Sequence, residues 1–173
     1  MLRIGLLSDT HGCWDDRYET YFSECDEIWH AGDVGSTSVA DRLEALKPCR
    51  MVCGNIDSRE LRLRYPGDLR FTLEGVSVWM THIGGYPGHY SADVYARLRQ
   101  NPPRLFVCGH SHICKVMFDH RLNMLVVNPG AAGTYGQQVV RTMIRFTLDA
   151  GQIRDMEVIE LGALPANPIR QPS

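Results

Sequence analysis

Five short fragments carry the residue types that could do chemistry. They are Asp9-x-His11, Gly32-Asp33, Gly54-Asn55-x-Asp57, Thr81-His82 and Gly109-His110-x-His112, and they hold four of the chain's seven histidines. Any one of them reads equally well as a cap, a turn or a buried histidine. Taken in order, they offer carboxylate, amide and imidazole donors, a mixture suited to divalent Mn, Fe, Ni or Zn rather than to Ca or to a thiolate site. Within Asp9-x-His11 and His110-x-His112 the i, i+2 spacing sends both side chains the same way if the chain stays extended. A carboxylate has two oxygens and can join two metals, whereas a neutral imidazole offers one nitrogen. Two such metals, ~3.5–4 Å apart, can share and activate a hydroxide and clamp a phosphoryl group for in-line attack.

Each fragment falls where an apolar strand stops, which is where ligand sites collect in α/β proteins. Strands are expected over Leu2–Ser8, Glu27–Ala31 and Arg50–Cys53. A helix with one apolar face is expected over Asp15–Cys25. A second helix is expected to open at the capping box Ser38-x-x-Asp41 and to stop at Pro48. Leu69–Leu73 and Val76–Met80 flank Glu74-Gly75 as a hairpin, and Ser91–Gln100 reads as a helix. Leu105–Cys108, Cys114–Phe118 and Met124–Val127 are further strands. The period of two in Val140–Leu148 continues through Asp149-Ala150-Gly151 into a last strand ending near Leu161. The expected organisation is one domain over residues 1–161, followed by a poorly ordered Pro-rich tail over 162–173.

Composition narrows the function further. A net charge of -2 over 173 residues gives no electrostatic case for a nucleic-acid or membrane partner. No apolar run approaches the ~18 residues of a membrane span. The start of the chain does not read as a secretory leader, and the six cysteines show no C-x-x-C pair. The reading is therefore a cytoplasmic protein with reduced thiols. A small substrate is expected as partner, and homo-oligomerisation stays open.

The ordered set of fragments, with Ser8-Asp9-Thr10-His11-Gly12 and Asn128-Pro129-Gly130, resembles the calcineurin-like metallophosphoesterase superfamily, in its small single-domain bacterial and archaeal phosphodiesterase branch. The resemblance covers about residues 1–160. It implies an α/β fold, a four-layer αββα sandwich of two packed mixed β-sheets flanked by helices. It also implies two divalent metal ions per chain, Mn first, with Ni, Fe or Zn as alternatives. Carried over by position, Asp9, His11 and His112 would bind one metal and Asn55, His82 and His110 the other, with Asp33 bridging. Asp33, Asn55, His82 and His110 would also serve the catalytic step.

Two departures from the pattern matter. Many relatives carry a His after the motif Asn, where this chain has Ile56, which can neither protonate a leaving group nor hold a phosphoryl oxygen. That favours a diesterase over a monoesterase. The Thr81-His82 pair is followed by Ile83-Gly84-Gly85-Tyr86-Pro87-Gly88-His89-Tyr90, expected to form a substrate rim with Tyr86 or Tyr90 stacking on a planar group. His30 could orient a ligand and Asp57 could hydrogen-bond a ligand histidine, or both could be structural. Asn128–Gly133 could bring backbone close to the metals. The alternatives in function are a phosphomonoesterase and a non-catalytic interaction scaffold of the same fold, like one retromer subunit.

Overall fold

The computed structural model describes residues 1–164. Ten strands and four helices follow in the order β1 (Leu2–Leu7), α1 (Asp16–Phe22), β2 (Glu27–His30), α2 (Thr37–Leu46), β3 (Cys49–Met51), α3 (Arg59–Arg64), β4 (Asp68–Leu73), β5 (Val76–Thr81), α4 (Ala92–Gln100), β6 (Leu105–Val107), β7 (Cys114–Asp119), β8 (Met124–Pro129), β9 (Val140–Asp149) and β10 (Gln152–Ala163). They build two mixed five-stranded sheets, ordered β10-β9-β1-β2-β3 and β4-β5-β6-β8-β7. β1, β2 and β3 run parallel, as do β5, β6 and β8, so the ends that carry the chemistry point one way within each sheet.

Side-chain alternation sorts the strands into layers. Ile4, Leu6 and Trp29 face Val78, Met80, Leu105 and Val107 between the sheets. Their neighbours Leu7 and Ile28 face outward, onto Tyr18, Phe22, Val39, Leu43 and Leu61 of α1, α2 and α3. On the far side, Trp79, Phe106 and Val126 pack on Val94 and Leu98 of α4. These layers are the αββα sandwich that the sequence leads one to expect. β9 is buried on both faces, because Ile144, Phe146 and Leu148 lie between the sheets while Met143 joins the helix-facing layer, so its period of two marks the inter-sheet face alone.

Several local expectations are corrected. α2 is capped by Ser36, whose side chain accepts from the Val39 amide, and Ser38 and Asp41 lie inside the helix. α1 is capped by Asp15 and ends at Phe22, before Cys25. β3 runs Cys49–Met51, and Val52 and Cys53 lie beyond it. α3 is unforeseen, since six residues with one buried leucine give no periodic signal; Ser58 caps it by accepting from the Leu61 amide. β10 continues through Ala163, two residues into the segment expected to be tail. The rest of that segment, 165–173, lies outside the described residues.

Loops leaving β1 and β2 are zippered to each other: the amides of Asp9, His11 and Gly12 donate to the carbonyls of Gly32, Asp33 and Val34 at 2.8–3.0 Å. His30, fully buried, braces the same junction. The Gly32 amide donates to its Nδ1 at 3.1 Å, so its Nε2 carries the proton and donates to Thr10 Oγ1 at 2.9 Å; the hydroxyl in turn donates to the Val34 carbonyl. Burial pushes the imidazole down to about 4, and the native state therefore favours its neutral form. The unfolded chain binds the extra proton between about pH 6.5 and 4, so this contribution to stability is complete above 6.5 and fades as pH falls. Metal-free protein should lose about 1.6 kcal/mol from this source between pH 6.5 and 5, because a proton bound by the unfolded chain alone is worth up to ~1.36 kcal/mol for every pH unit and the unfolded imidazole is half protonated at 6.5. Urea unfolding of wild type and His30→Gln at both pH values measures it. The variant should show the shallower dependence, and equal slopes would acquit the imidazole.

Candidate metal centre

An i, i+2 spacing aligns side chains only in extended chain, and the ligand loops are not extended. Asp9, His11, Asp33, His110 and His112 all have positive φ, between 46° and 68°. A side chain in this left-handed region costs about 1–2 kcal/mol per residue, and such strain persists only where the surroundings fix it. The fixing is visible. Beyond the zippered loops, the Asp9 carboxylate accepts from Ser8 Oγ at 2.6 Å and from the His110 amide at 3.1 Å, both on Oδ2. Asp33 Oδ1 accepts from the Ile56 amide at 3.1 Å. Gly54 lies so close to Asp33 that a Cβ there would sit 2.0 Å from Oδ1, and a Cβ on Gly109 would sit 2.2 Å from Ser8 Oγ. Both positions need glycine for close approach rather than for a turn.

The kinked loops bring the side chains into two clusters. Asp9, His11 and His112 form one and Asp33, His82 and His110 the other, the donor atoms of each lying within 4.8 Å of one another. His112 Nε2 is 3.1 Å from Asp9 Oδ1 and His82 Nε2 is 3.2 Å from Asp33 Oδ2. Asp33 Oδ2 also lies 3.5 Å from His11 Nε2, so one carboxylate touches both clusters. Asn55 joins the second through Oδ1, 3.1 Å from His110 Nδ1. The second nitrogens orient the rings: His82 Nδ1 donates to the Ala31 carbonyl at 2.7 Å and His112 Nδ1 to Gln138 Oε1 at 3.0 Å, which leaves each Nε2 free to receive a metal.

Three buried atoms here have no hydrogen-bond partner: Asp9 Oδ1, His11 Nε2 and His82 Nε2. Both nitrogens lie within 3.9 Å of Asp9 Oδ1. Leaving such atoms unpaired in the interior costs about 1–3 kcal/mol each, and divalent ions satisfy all three at once. The donor set therefore fits metals. Without them the imidazoles do part of the work. Burial raises the Asp9 carboxyl, but the neighbouring His11, His112 and His82 imidazoles outweigh it and leave Asp9 well below the usual carboxylate range. Asp33 is lowered too, burial being overcome by His82. In reply, His82 and His112 are raised, His82 against its own burial.

The secondary candidates separate. His30 touches Thr10 and Gly32 rather than any donor, and acts as the brace described above. Asp57 bonds no histidine: its carboxylate accepts from the amides of Val34, Gly35 and Gly54, tying together the loops that carry Asp33 and Asn55. Tyr90 is not a free stacking platform. Its hydroxyl donates to Asp119 Oδ2 at 2.8 Å and its ring packs against Phe106 and Tyr95. Tyr86 lines a cavity of about 380 Å³ that opens on Gly109, His110 and Ser111, and its ring is already contacted by Lys115 and His89. Asn128–Gly133 does press close: the Ala132 and Gly133 amides donate to the carbonyls of Ser8 and Asp9.

Residues not foreseen are Ser8, Gln138, Tyr135, whose ring centroid is 4.8 Å from that of His11, and Arg62, which donates to the carbonyls of Asn55 and Asp57. Ser8 stands beside a motif, and that adjacency is a signal in the sequence. The others sit in segments whose place depends on the whole fold.

Comparisons with known proteins bear on the fold and the family. The chain is 28% identical over 167 residues to a probable metallophosphoesterase of Methanothermobacter thermautotrophicus, covering 92% of this chain and 93% of the relative. Its fold is similar to that of an archaeal phosphodiesterase (TM-score 0.76, 19% identity, 92% of this chain and 100% of the other). It is also similar to Vps29 from Chaetomium thermophilum (TM-score 0.74, 14% identity, 95% and 100%), and to Vps29 complexed with Zn from Entamoeba histolytica (TM-score 0.72, 13% identity, 92% and 99%). Residues 2–151 match the calcineurin-like phosphoesterase superfamily domain, and the chain, with its two candidate metal-binding clusters, belongs to that metal-dependent family.

Proposed function

We propose that this protein is a cytoplasmic phosphodiesterase that works with two divalent metals, Asp9, His11 and His112 holding one, Asn55, His82 and His110 the other, and Asp33 touching both. The observation that carries the reading is the group of three buried, unpartnered donor atoms between clusters that share Asp33. Bound metals supply Lewis acidity toward a phosphoryl oxygen and a water acidic enough to act near neutral pH. The protein's own part is positioning. Ala31 and Gln138 fix the ring orientations, and Asp57 and Arg62 fix the Asn55 loop. The mixed imidazole and carboxylate donors suit Mn, Ni, Fe or Zn, and the family resemblance puts Mn first. The six unpaired cysteines fit a reducing compartment.

Three isoleucines follow ligand positions directly and stand exposed: Ile56 at 48%, Ile83 at 45% and Ile113 at 59%. Apolar side chains beside the donors suit a phosphate with organic substituents, and Ile56 offers no proton to a poor leaving group; together these favour a diester. The Vps29 likenesses support a second reading, an interaction scaffold on the same fold, which a complete ligand set does not require.

Elemental analysis after reconstitution with Mn or Ni should give close to two ions per chain. A folded protein that retains almost none would favour the scaffold. An activated aryl phosphodiester should turn over faster than the matching aryl monoester, with Ile56→His raising monoester turnover if the new imidazole reaches the phosphate. A roughly tenfold preference for the monoester in wild type, about 1.4 kcal/mol in the barrier, would count against the diesterase. Activity measured against metal concentration separates the ligand roles. Asp33→Asn removes the charge that touches both clusters and should abolish nearly all activity at any metal level. Asn55→Ala should lower metal affinity by about 10–100-fold, as changes around metal sites do, and recover partly with added Mn. An Asp33→Asn enzyme restored as fully as Asn55→Ala would show that Asp33 is not shared.

A further inference from the structure

The cavity between the Ile83–Tyr90 loop and the His110 loop holds an arrangement that the metal chemistry does not use. Of the chain's two lysines, Lys115 reaches into this cavity from β7 and places its ammonium 3.4 Å from the centroid of the Tyr86 ring. Among the described residues the ammonium has no carboxylate partner and no hydrogen bond. No aspartate or glutamate lines the cavity; Tyr86 lies under the ammonium, and Ile83 and Ile113 are among the apolar residues of the walls. Lys115 is only half-exposed, and the loop opposite is firm, since the His89 amide donates to the Tyr86 carbonyl at 2.7 Å and the Ser91 amide to the Gly84 carbonyl at 3.1 Å. An aromatic face holds a cation in place but leaves its three N–H donors open in directions away from the ring.

We propose that this cavity is the subsite for one ester substituent of the substrate, and that Lys115 selects a substituent ending in an anion, a carboxylate or a second phosphate. The inference rests on the phosphoester reading and deepens it. A phosphoryl group at His110 leaves one substituent facing the cavity, whose volume of about 380 Å³ takes a group of sugar or aryl size. The isoleucines cover its apolar part, and the only full positive charge on its walls waits at Lys115. The Tyr86 ring acts here as the support of the ammonium rather than as a stacking surface for the substrate.

The test uses diesters that share p-nitrophenolate as leaving group and differ only in the retained ester: ethyl, carboxymethyl, 2-phosphoethyl and choline. Wild type should favour the two anionic esters over ethyl, and ethyl over choline, in kcat/KM; the two anionic arms tell carboxylate from phosphate. Lys115→Met should shrink the anionic-to-ethyl ratio by about tenfold, roughly the size of one charge-assisted hydrogen bond, and Lys115→Glu should move choline above the anions. Ratios unchanged in both variants overturn the proposal. If no diester is hydrolysed under any metal, the phosphoester reading fails, and a separate measurement still decides the anion site. Reductive 13C-methylation labels the two lysines and the Met1 amino group, and Lys115→Met and Lys47→Met assign the lysine signals. Inorganic phosphate or acetate added to metal-free protein should shift the Lys115 signal saturably and leave Lys47 in place. A Lys115 signal that behaves like that of Lys47 also overturns it.

Discussion

Two carboxylates, Asp9 and Asp33, are buried within reach of three imidazoles, and much of the fold is arranged around keeping them there. A buried carboxylate is tolerated only where opposite charge or donated hydrogen bonds replace water. Ser8, the His110 amide and the Ile56 amide supply some of that replacement, and the histidines supply the rest. This requirement accounts for the left-handed backbone at five of the seven candidate ligand positions. Extended chain would carry Asp9 and His11 along the strand direction, past each other's targets. The kinks turn them into one space, and the zippered β1 and β2 loops hold the kinks.

Much of this is legible in the sequence because metal donors are few residue types and strand ends are easily seen. The strand positions, the two hairpin turns and the identity of the clustered residues follow from local pattern. Glu74-Gly75 and Ala150-Gly151 have the paired positive φ of tight hairpins, for which their glycines are the visible mark. What cannot be read locally is what depends on a distant partner. Nothing near Ser38 says that Ser36 is the better cap, since both are serines and the choice is made where α2 meets the sheet. α3 rests on one buried leucine, Leu61, and on a serine cap, too little for a periodic signal. Asp57 looks like a partner for histidine because its neighbours in sequence are ligands. In space its neighbours are three amides of two loops.

The aromatic rim shows the same limit. Tyr86 and Tyr90 sit in one loop and read alike, yet Tyr90 is drawn into the α4 layer by Asp119 and Phe106, whereas Tyr86 stays at the mouth of the cavity under Lys115. Asp119 and Lys115 both belong to β7, four residues apart and on the same face. One edge strand thus fixes the contrasting roles of two tyrosines some thirty residues earlier.

The order in which the chain is synthesised gives the sheet arrangement a further meaning. All seven donor residues have been made once His112 is in place, yet β1, which carries Asp9 at its end, lies between β2 and β9, and β9 comes last but one. Gln138, which orients His112, and Ala132 and Gly133, which hold the Ser8-Asp9 backbone, also follow later. An emerging chain therefore holds all seven candidate donors before it owns the segments that aim them. The pairing of β9 with β1 accompanies the arrival of Gln138 and of the Ala132 and Gly133 amides beside donors made earlier in the chain.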